Sequence, residues 1–180
     1  QHPQIFDSLP KVWACSLFVA KNCVQFPSLL SELIESGDLL KAPSHYSQSL
    51  ANRLQNAFDE ADLMRILRLY RRREMVRIAW RDLAGWASLG ESLQSLSELA
   101  DAMIDGALTW LYQPLTRQFG TPYSADGIQQ QLIVLGLGKL GGQELNFSSD
   151  IDLIFAYPEP GETKQAKRSR DNQEFFQRLG

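Results

Sequence analysis

Leu132-Ile-Val-Leu-Gly-Leu-Gly-Lys-Leu-Gly-Gly-Gln-Glu-Leu-Asn-Phe-Ser-Ser-Asp-Ile-Asp-Leu-Ile-Phe155 is where this chain changes character. Gln131–Leu135 is a short apolar, β-branched run closed by glycines, which predicts a strand. Ile151–Tyr157 predicts a second strand, apolar apart from Asp152 and ended by Pro158 and Pro160. Gly136, Gly138 and Gly141 match G-x-G-x-x-G after a strand. A dinucleotide site also needs a helix after that turn and a parallel strand after the helix. Such a crossover takes a dozen or more residues. The intervening Gln143–Ser149 holds the turn-like Asn-Phe-Ser-Ser, which leaves no room for the helix.

The reading that fits better joins Gly141-Gly142 to Asp150-Ile-Asp152. Residues two apart on a strand point to one face, so the strand predicted from Ile151 sets two carboxylates side by side. Neighbouring carboxylates repel, and burying either is costly. A divalent cation resolves both problems, and hard Mg²⁺ takes one or two carboxylates together with phosphate oxygens. The double glycine lets backbone approach a phosphate closely. Together these parts suit in-line displacement at phosphorus. The plainer alternative is a surface strand cap beside an ordinary glycine turn. Ser149 fits either an orienting or phosphate-donating hydroxyl or a simple turn serine. Lys139 reads as an exposed turn lysine, and nothing marks Glu144 as a ligand.

Upstream, the periodicity is helical to about residue 120. Lys11–Asn22, Pro27–Glu35 and Ser44–Phe58 predict short helices, the last with Leu50, Leu54 and Phe58 on one stripe. A longer helix starts at Asp59 or Asp62 and carries Leu63, Ile66, Leu67 and Tyr70, then Met75, Ile78, Ala79 and Trp80. Seven arginines from Arg65 to Arg81 spread around it, interleaved with acids, and predict a solvated face of ion pairs. The next helix opens with capping-box spacing at Ser88 and Glu91 and is stopped by Gly120, Thr121 and Pro122. Pro158–Asp171 predicts a polar surface loop and Asn172–Leu179 a final helix. The class is therefore α+β: a helical region over 1–125, then the first strands of a sheet over 126–180. Two strands do not make a stable sheet alone, so a truncated sheet, and a chain cut from a longer protein, is expected.

Composition bounds the rest. The chain has 180 residues, 44% of them hydrophobic, with a formal net charge of −3. That gives no drive toward nucleic acid, and no apolar run approaches the roughly 20 residues of a membrane span. Cys15 and Cys23 predict reduced core thiols in a cytoplasmic protein rather than a disulfide framework.

The order hydrophobic, Gly-Gly, spacer, Asp-hydrophobic-Asp resembles the DNA polymerase β-like nucleotidyltransferases. Gly138 to Phe155 is similar in particular to the bifunctional glutamine synthetase adenylyltransferase/adenylyl-removing enzymes of bacteria. Leu63–Trp80, Trp110-Leu-Tyr112 and Phe119-Gly-Thr-Pro122 resemble the helical region of that family, and the form around Asn146-Phe147 resembles its N-terminal, adenylyl-removing half. The resemblance implies a nucleotidyltransferase in control of nitrogen assimilation. Phosphate attacks the AMP phosphorus of adenylyl-tyrosine on glutamine synthetase and releases ADP. It implies Asp150 and Asp152 as metal and catalytic ligands, Gly141, Gly142 and Ser149 at the phosphate or nucleotide, and Mg²⁺ as cofactor. Glutamine synthetase, the PII signalling protein, phosphate and ADP/ATP are the implied partners. A third carboxylate is implied on a later strand. Glu159 and Glu162, read as loop residues, do not fit it, so the site is expected to be incomplete here. The alternative is a regulatory module that docks PII or glutamine synthetase while chemistry proceeds elsewhere.

Overall fold

The computed structural model describes residues 2–42, 44–165 and 169–180. These are helical to Phe119 and mixed beyond it, the α+β class expected. Helices α1 (Pro3–Cys15) and α2 (Leu17–Gln25) replace the single predicted Lys11–Asn22 helix. The break is Ser16, extended at φ −136°, whose hydroxyl accepts the Val19 amide at 3.2 Å. Serine is better placed as an N-cap than inside a helix, where its side chain competes with the backbone. Helix α3 (Pro27–Glu35) starts at its proline as expected. Helix α4 is shorter than predicted, Tyr46–Leu54; Leu50 and Leu54 are buried, but Phe58 is 89% exposed. The chain turns after Leu54 because Asp59 opens α5 (Glu60–Ala84), accepting the Asp62 amide at 2.8 Å. Helix α6 (Leu89–Phe119) is capped by Ser88, which accepts the Glu91 amide at 3.2 Å. Only half of the predicted capping box forms, since the Glu91 carboxylate is taken by Arg81 at 2.9 Å.

Helix α5 is the post on which α1, α2, α3, α4 and α6 pack. One side joins Leu63, Ile66, Tyr70 and Ile78 to α4 and α6, and the other joins Val76, Ala79 and Trp80 to α1–α3. Every residue from Arg73 to Arg81 is buried, which corrects the expectation of a solvated arginine face. Arg73 pairs with Glu74, with Glu32 at 3.0 Å and with Asp38 at 2.5 Å. Arg77 pairs with Glu74 at 3.2 Å and donates to the Asp38 and Lys41 carbonyls at 2.8 and 3.1 Å. A guanidinium has five fixed donors and suits this work where an ammonium would not. The solvated reading holds for Arg65, Arg68 and Arg71, which are exposed. Helical periodicity counted the charges but had no view of the 3-10 turn at Asp38–Leu40 that folds over them. Cys23 is buried, and burial pushes its thiol up to about 11; Cys15, expected in the core, is exposed.

Two strand pairs follow. β1 (Thr121–Ser124) and β4 (Gly161–Lys164) are antiparallel, with Tyr123 opposite Glu162. Neither was legible as a strand, since β1 begins on the helix-stop residues and β4 lies in the predicted polar loop. Part of that loop, 166–168, lies outside the described residues. The pair forms because Gly161 has no Cβ to strike the Tyr123 carbonyl oxygen, and because Asn172 donates to that oxygen at 3.0 Å. The final helix α8 (Asn172–Leu179) buries Phe175, Phe176 and Leu179 against Leu111, Tyr112 and Tyr157. β2 (Ile133–Gly136) and β3 (Leu153–Ala156) form the second antiparallel pair, with Gly136 opposite Leu153. Among the described residues no helix is long and apolar enough to cross a membrane.

Removing Glu74 strands two buried guanidinium groups, so Glu74→Ala should cost about 3–5 kcal/mol in a urea titration. Burial raises the Asp38 carboxyl, but hydrogen bonds from Arg73 and Ser36 and the charges of Arg73 and Arg77 outweigh it, leaving its pKa below 3.8. Its stabilisation is therefore complete above that value and is lost as pH falls through the depressed one. Asp38→Asn should flatten the acid side of the stability profile, read as urea midpoints from neutral pH down to about pH 3.

Candidate active site

A single helical turn, α7 (Gly138–Gly141), leads from β2 into the loop that returns to β3. Because β2 and β3 are antiparallel, no strand–helix–parallel-strand unit exists here, and the G-x-G-x-x-G match does not make a dinucleotide fold. Gly141 has to be glycine, since a Cβ there would stand 2.5 Å from the Gly136 carbonyl oxygen. Gly142 differs. It closes the turn at φ −83°, and an added Cβ would meet only the Glu144 side chain at 3.4 Å. The two amides donate within the turn, to the Leu137 and Gly138 carbonyls at 3.4 and 3.0 Å. Both glycines are exposed, and without side chains they leave the surface above them open to close approach.

Past the turn, Gln143 takes φ +56°, left-handed for a residue with a side chain. Its amide group donates to the Asp101 carboxylate at 3.0 Å and to the Leu140 carbonyl at 3.4 Å. The Leu145 amide donates to the Ser97 hydroxyl at 3.1 Å, and Ser97, wholly buried, donates in turn to the Leu93 carbonyl at 3.0 Å. Leu140 and Leu145 are themselves buried in the core shared by α5 and α6. Sequence reading singled out none of Ser97, Asp101 or Gln143. The one available signal was Ser97, a polar residue set within the apolar stripe of Leu93, Leu96 and Ala100, where a buried hydroxyl demands a partner.

Asn146–Ser149 is a closed turn. The Ser149 hydroxyl donates to Asn146 Oδ1 at 2.8 Å and accepts the Asn146 amide at 3.2 Å. Ser149 is thus placed as a turn serine immediately before Asp150. β3 starts at Leu153, two residues later than predicted, so Asp150 and Asp152 lie on its lead-in and not within the ladder. The Asp152 carbonyl nevertheless accepts the Leu137 amide at 2.9 Å, which ties this end of the segment to β2. Both carboxylates are exposed, so the desolvation cost expected from a buried strand does not arise. The flanking apolar residues are also half-exposed, Ile154 at 47% and Leu135 opposite it at 50%. Ser149 and Ile151 line a cavity of about 320 Å³ with Arg71, Met103 and Phe147, whereas Asp150 and Asp152 do not.

Two exposed carboxylates two residues apart are a donor set of hard oxygens, the kind that Mg²⁺ accepts. Among the described residues no group of three or more acidic, histidine or cysteine side chains is arranged to hold a metal ion. Glu162, expected in a loop, lies on β4 in the other strand pair, where its carboxylate accepts from Ser169 at 2.9 Å. The residues present therefore fit a metal as part of a ligand set. The two glycines should separate cleanly in stability measurements. Gly141→Ala, which must push the Gly136 carbonyl aside, should lower the folding free energy by about 1–3 kcal/mol. Gly142→Ala should stay within about 0.5 kcal/mol of the unaltered protein in the same thermal or urea melts.

Over residues 6–180 the chain matches the family model described as glutamate-ammonia ligase adenylyltransferase. The bifunctional glutamine synthetase adenylyltransferase/adenylyl-removing enzyme of Nitrosococcus oceani is 56% identical over 171 residues, covering 93% of this chain and 18% of the relative. The protein of the same name in Pseudomonas aeruginosa is 52% identical over 177 residues, covering 97% of this chain and 18% of its own length. That of Shewanella loihica is 47% identical over 178 residues, covering 99% and 19%. The chain thus spans 18–19% of the length of these curated relatives.

Proposed function

The chain belongs to the glutamate-ammonia ligase adenylyltransferase family, and from that membership we propose that it is part of a cytoplasmic nucleotidyltransferase that removes AMP from adenylyl-tyrosine of glutamine synthetase. In this reading the β2–turn–β3 unit begins a polymerase β-like catalytic domain over 126–180, and the helical region over 1–125 supports it. The observation that carries the proposal is the Asp150–Asp152 pair, exposed on the segment that returns from the glycine turn to β3 and tied to β2 through the Asp152 carbonyl.

The reaction is phosphorolysis. An oxygen of inorganic phosphate bonds to the AMP phosphorus, the bond from phosphorus to the tyrosine oxygen breaks, and the tyrosine takes up a proton as ADP leaves. Asp150 and Asp152 would hold Mg²⁺, which supplies charge stabilisation at the phosphoryl oxygens when bound. The bare backbone at Gly141 and Gly142 admits the phosphates, and Ser149, directly before Asp150, orients that carboxylate by closing the Asn146–Ser149 turn. The family resemblance also supplies PII as the regulatory partner and ATP as the nucleotide of the opposing reaction. No basic surface is invoked, and nucleic acid has no part in this scheme.

Asp152→Asn in the full-length protein tests it. The change keeps the backbone carbonyl that Leu137 uses and removes only charge. Phosphate-dependent ADP release from adenylylated glutamine synthetase should fall by roughly a hundredfold or more. Undiminished release would overturn the enzymatic reading and leave this region as a docking module.

A further inference from the structure

We propose that Ser97 and Asp101 on α6 form a latch that sets the register of the glycine turn and, through it, the position of the Asp150–Asp152 carboxylates. The reaction named here rests on the adenylyl-removal reading; the latch itself rests on geometry.

Four residues apart on a helix, Ser97 and Asp101 lie on one face, a turn apart. Their partners lie two apart in the loop. Ser97 accepts the Leu145 amide at 3.1 Å, and Asp101 accepts the Gln143 side chain at 3.0 Å. Between them the Glu144 amide donates to the Lys139 carbonyl at 2.8 Å, so the three residues are each tied down. The left-handed Gln143 is what such over-determination predicts, because a disfavoured φ persists only where its surroundings hold it.

Leu140 and Leu145 also fasten the loop to the α5/α6 core, but apolar burial is non-directional. It sets how deep the loop sits and says little about where along α6 it sits. The two hydrogen bonds supply that coordinate, and Ser97 does so from full burial, where an orphaned Leu145 amide has no water to turn to. From Leu145 the path to the carboxylates is short and stiff. The Asn146–Ser149 turn is closed by its own side chains, Asp150 follows directly, and Asp152 is tied to Leu137. A segment held at both ends passes a slip at one end to the residues between. Ser97 and Asp101 are therefore positioning residues, neither of which touches substrate.

The test uses the full-length protein and reads kcat, KM for adenylylated glutamine synthetase, the thermal midpoint and amide hydrogen exchange over 143–150. Asp101→Ala should lower kcat by on the order of tenfold with KM and midpoint unchanged, since misplacement by a fraction of an ångström acts on the chemical step. Asp101→Asn retains an acceptor oxygen and should keep full kcat. Gln143→Gly relieves the left-handed strain, so it should lose kcat as Asp101→Ala does without losing stability, and the double variant should be no worse than either single change. Full kcat in Asp101→Ala, or equal loss in Asp101→Asn, would overturn the latch. Exchange keeps this separate from the assignment of the reaction. Should Asp152→Asn leave ADP release intact, the reaction is wrong, yet Ser97→Ala and Asp101→Ala should still speed exchange at Leu145 about tenfold; unchanged exchange there would overturn the latch by itself.

Discussion

Three guanidinium groups can be buried along one helix only if carboxylates and carbonyls arrive to meet them, and in this chain they come from Glu32, Glu74, Asp38, Glu91 and the backbone around residues 38–42. That requirement bears on where α3, the 3-10 turn and the start of α6 sit. Helix α3 brings Glu32 and the 3-10 turn brings Asp38, both to Arg73, and the start of α6 brings Glu91 to Arg81. Apolar side chains then close both flanks. Dispersion and hydrophobic burial supply the bulk of the stabilisation, but they would accept several helix arrangements. The arginine set accepts one.

The consequence reaches the candidate site. Leu140 and Leu145 enter the core that α5 and α6 share, so the loop bearing the carboxylates is built onto the helical region and does not hang from two isolated strands. A two-stranded pair has little stability alone. Here each pair is braced, β1–β4 by α6 and α8, and β2–β3 through α7 and the loop against α6. The exposed carboxylates are thereby presented from a rigid backing, which is what binding a multivalent phosphate group to a fixed cation would require.

The helices were legible because their signals are local. Asp59 and Ser88 cap where their side chains predict, and Gly120 ends α6. Periodicity misleads where a local choice competes with it: Ser16 breaks a helix that the apolar pattern continues, and Phe58 keeps a stripe's spacing beyond the helix's end. β1 and β4 were missed for another reason. They have no apolar alternation, and their pairing rests on the absence of a Cβ at Gly161 and on a hydrogen bond from Asn172, a residue 49 positions from its partner Tyr123.

The Asp150–Asp152 pair and the glycines that precede it were determined by sequence alone, because a residue's chemistry and its distance along the chain need no fold to be read. Whether those carboxylates would be buried or exposed was not, since that depends on which surfaces cover β3. Nor was the division of labour between Gly141 and Gly142, one forced by a backbone oxygen five residues away and the other free. The burial of Arg73, Arg77 and Arg81, and the grip of Ser97 and Asp101 on the loop, belong to tertiary structure entirely. For Arg73, Arg77, Ser97 and Asp101 the partners lie 35 to 48 residues away, and for Arg81 the partner is Glu91 on the next helix; no pattern of period 2 or 3.6 carries that information.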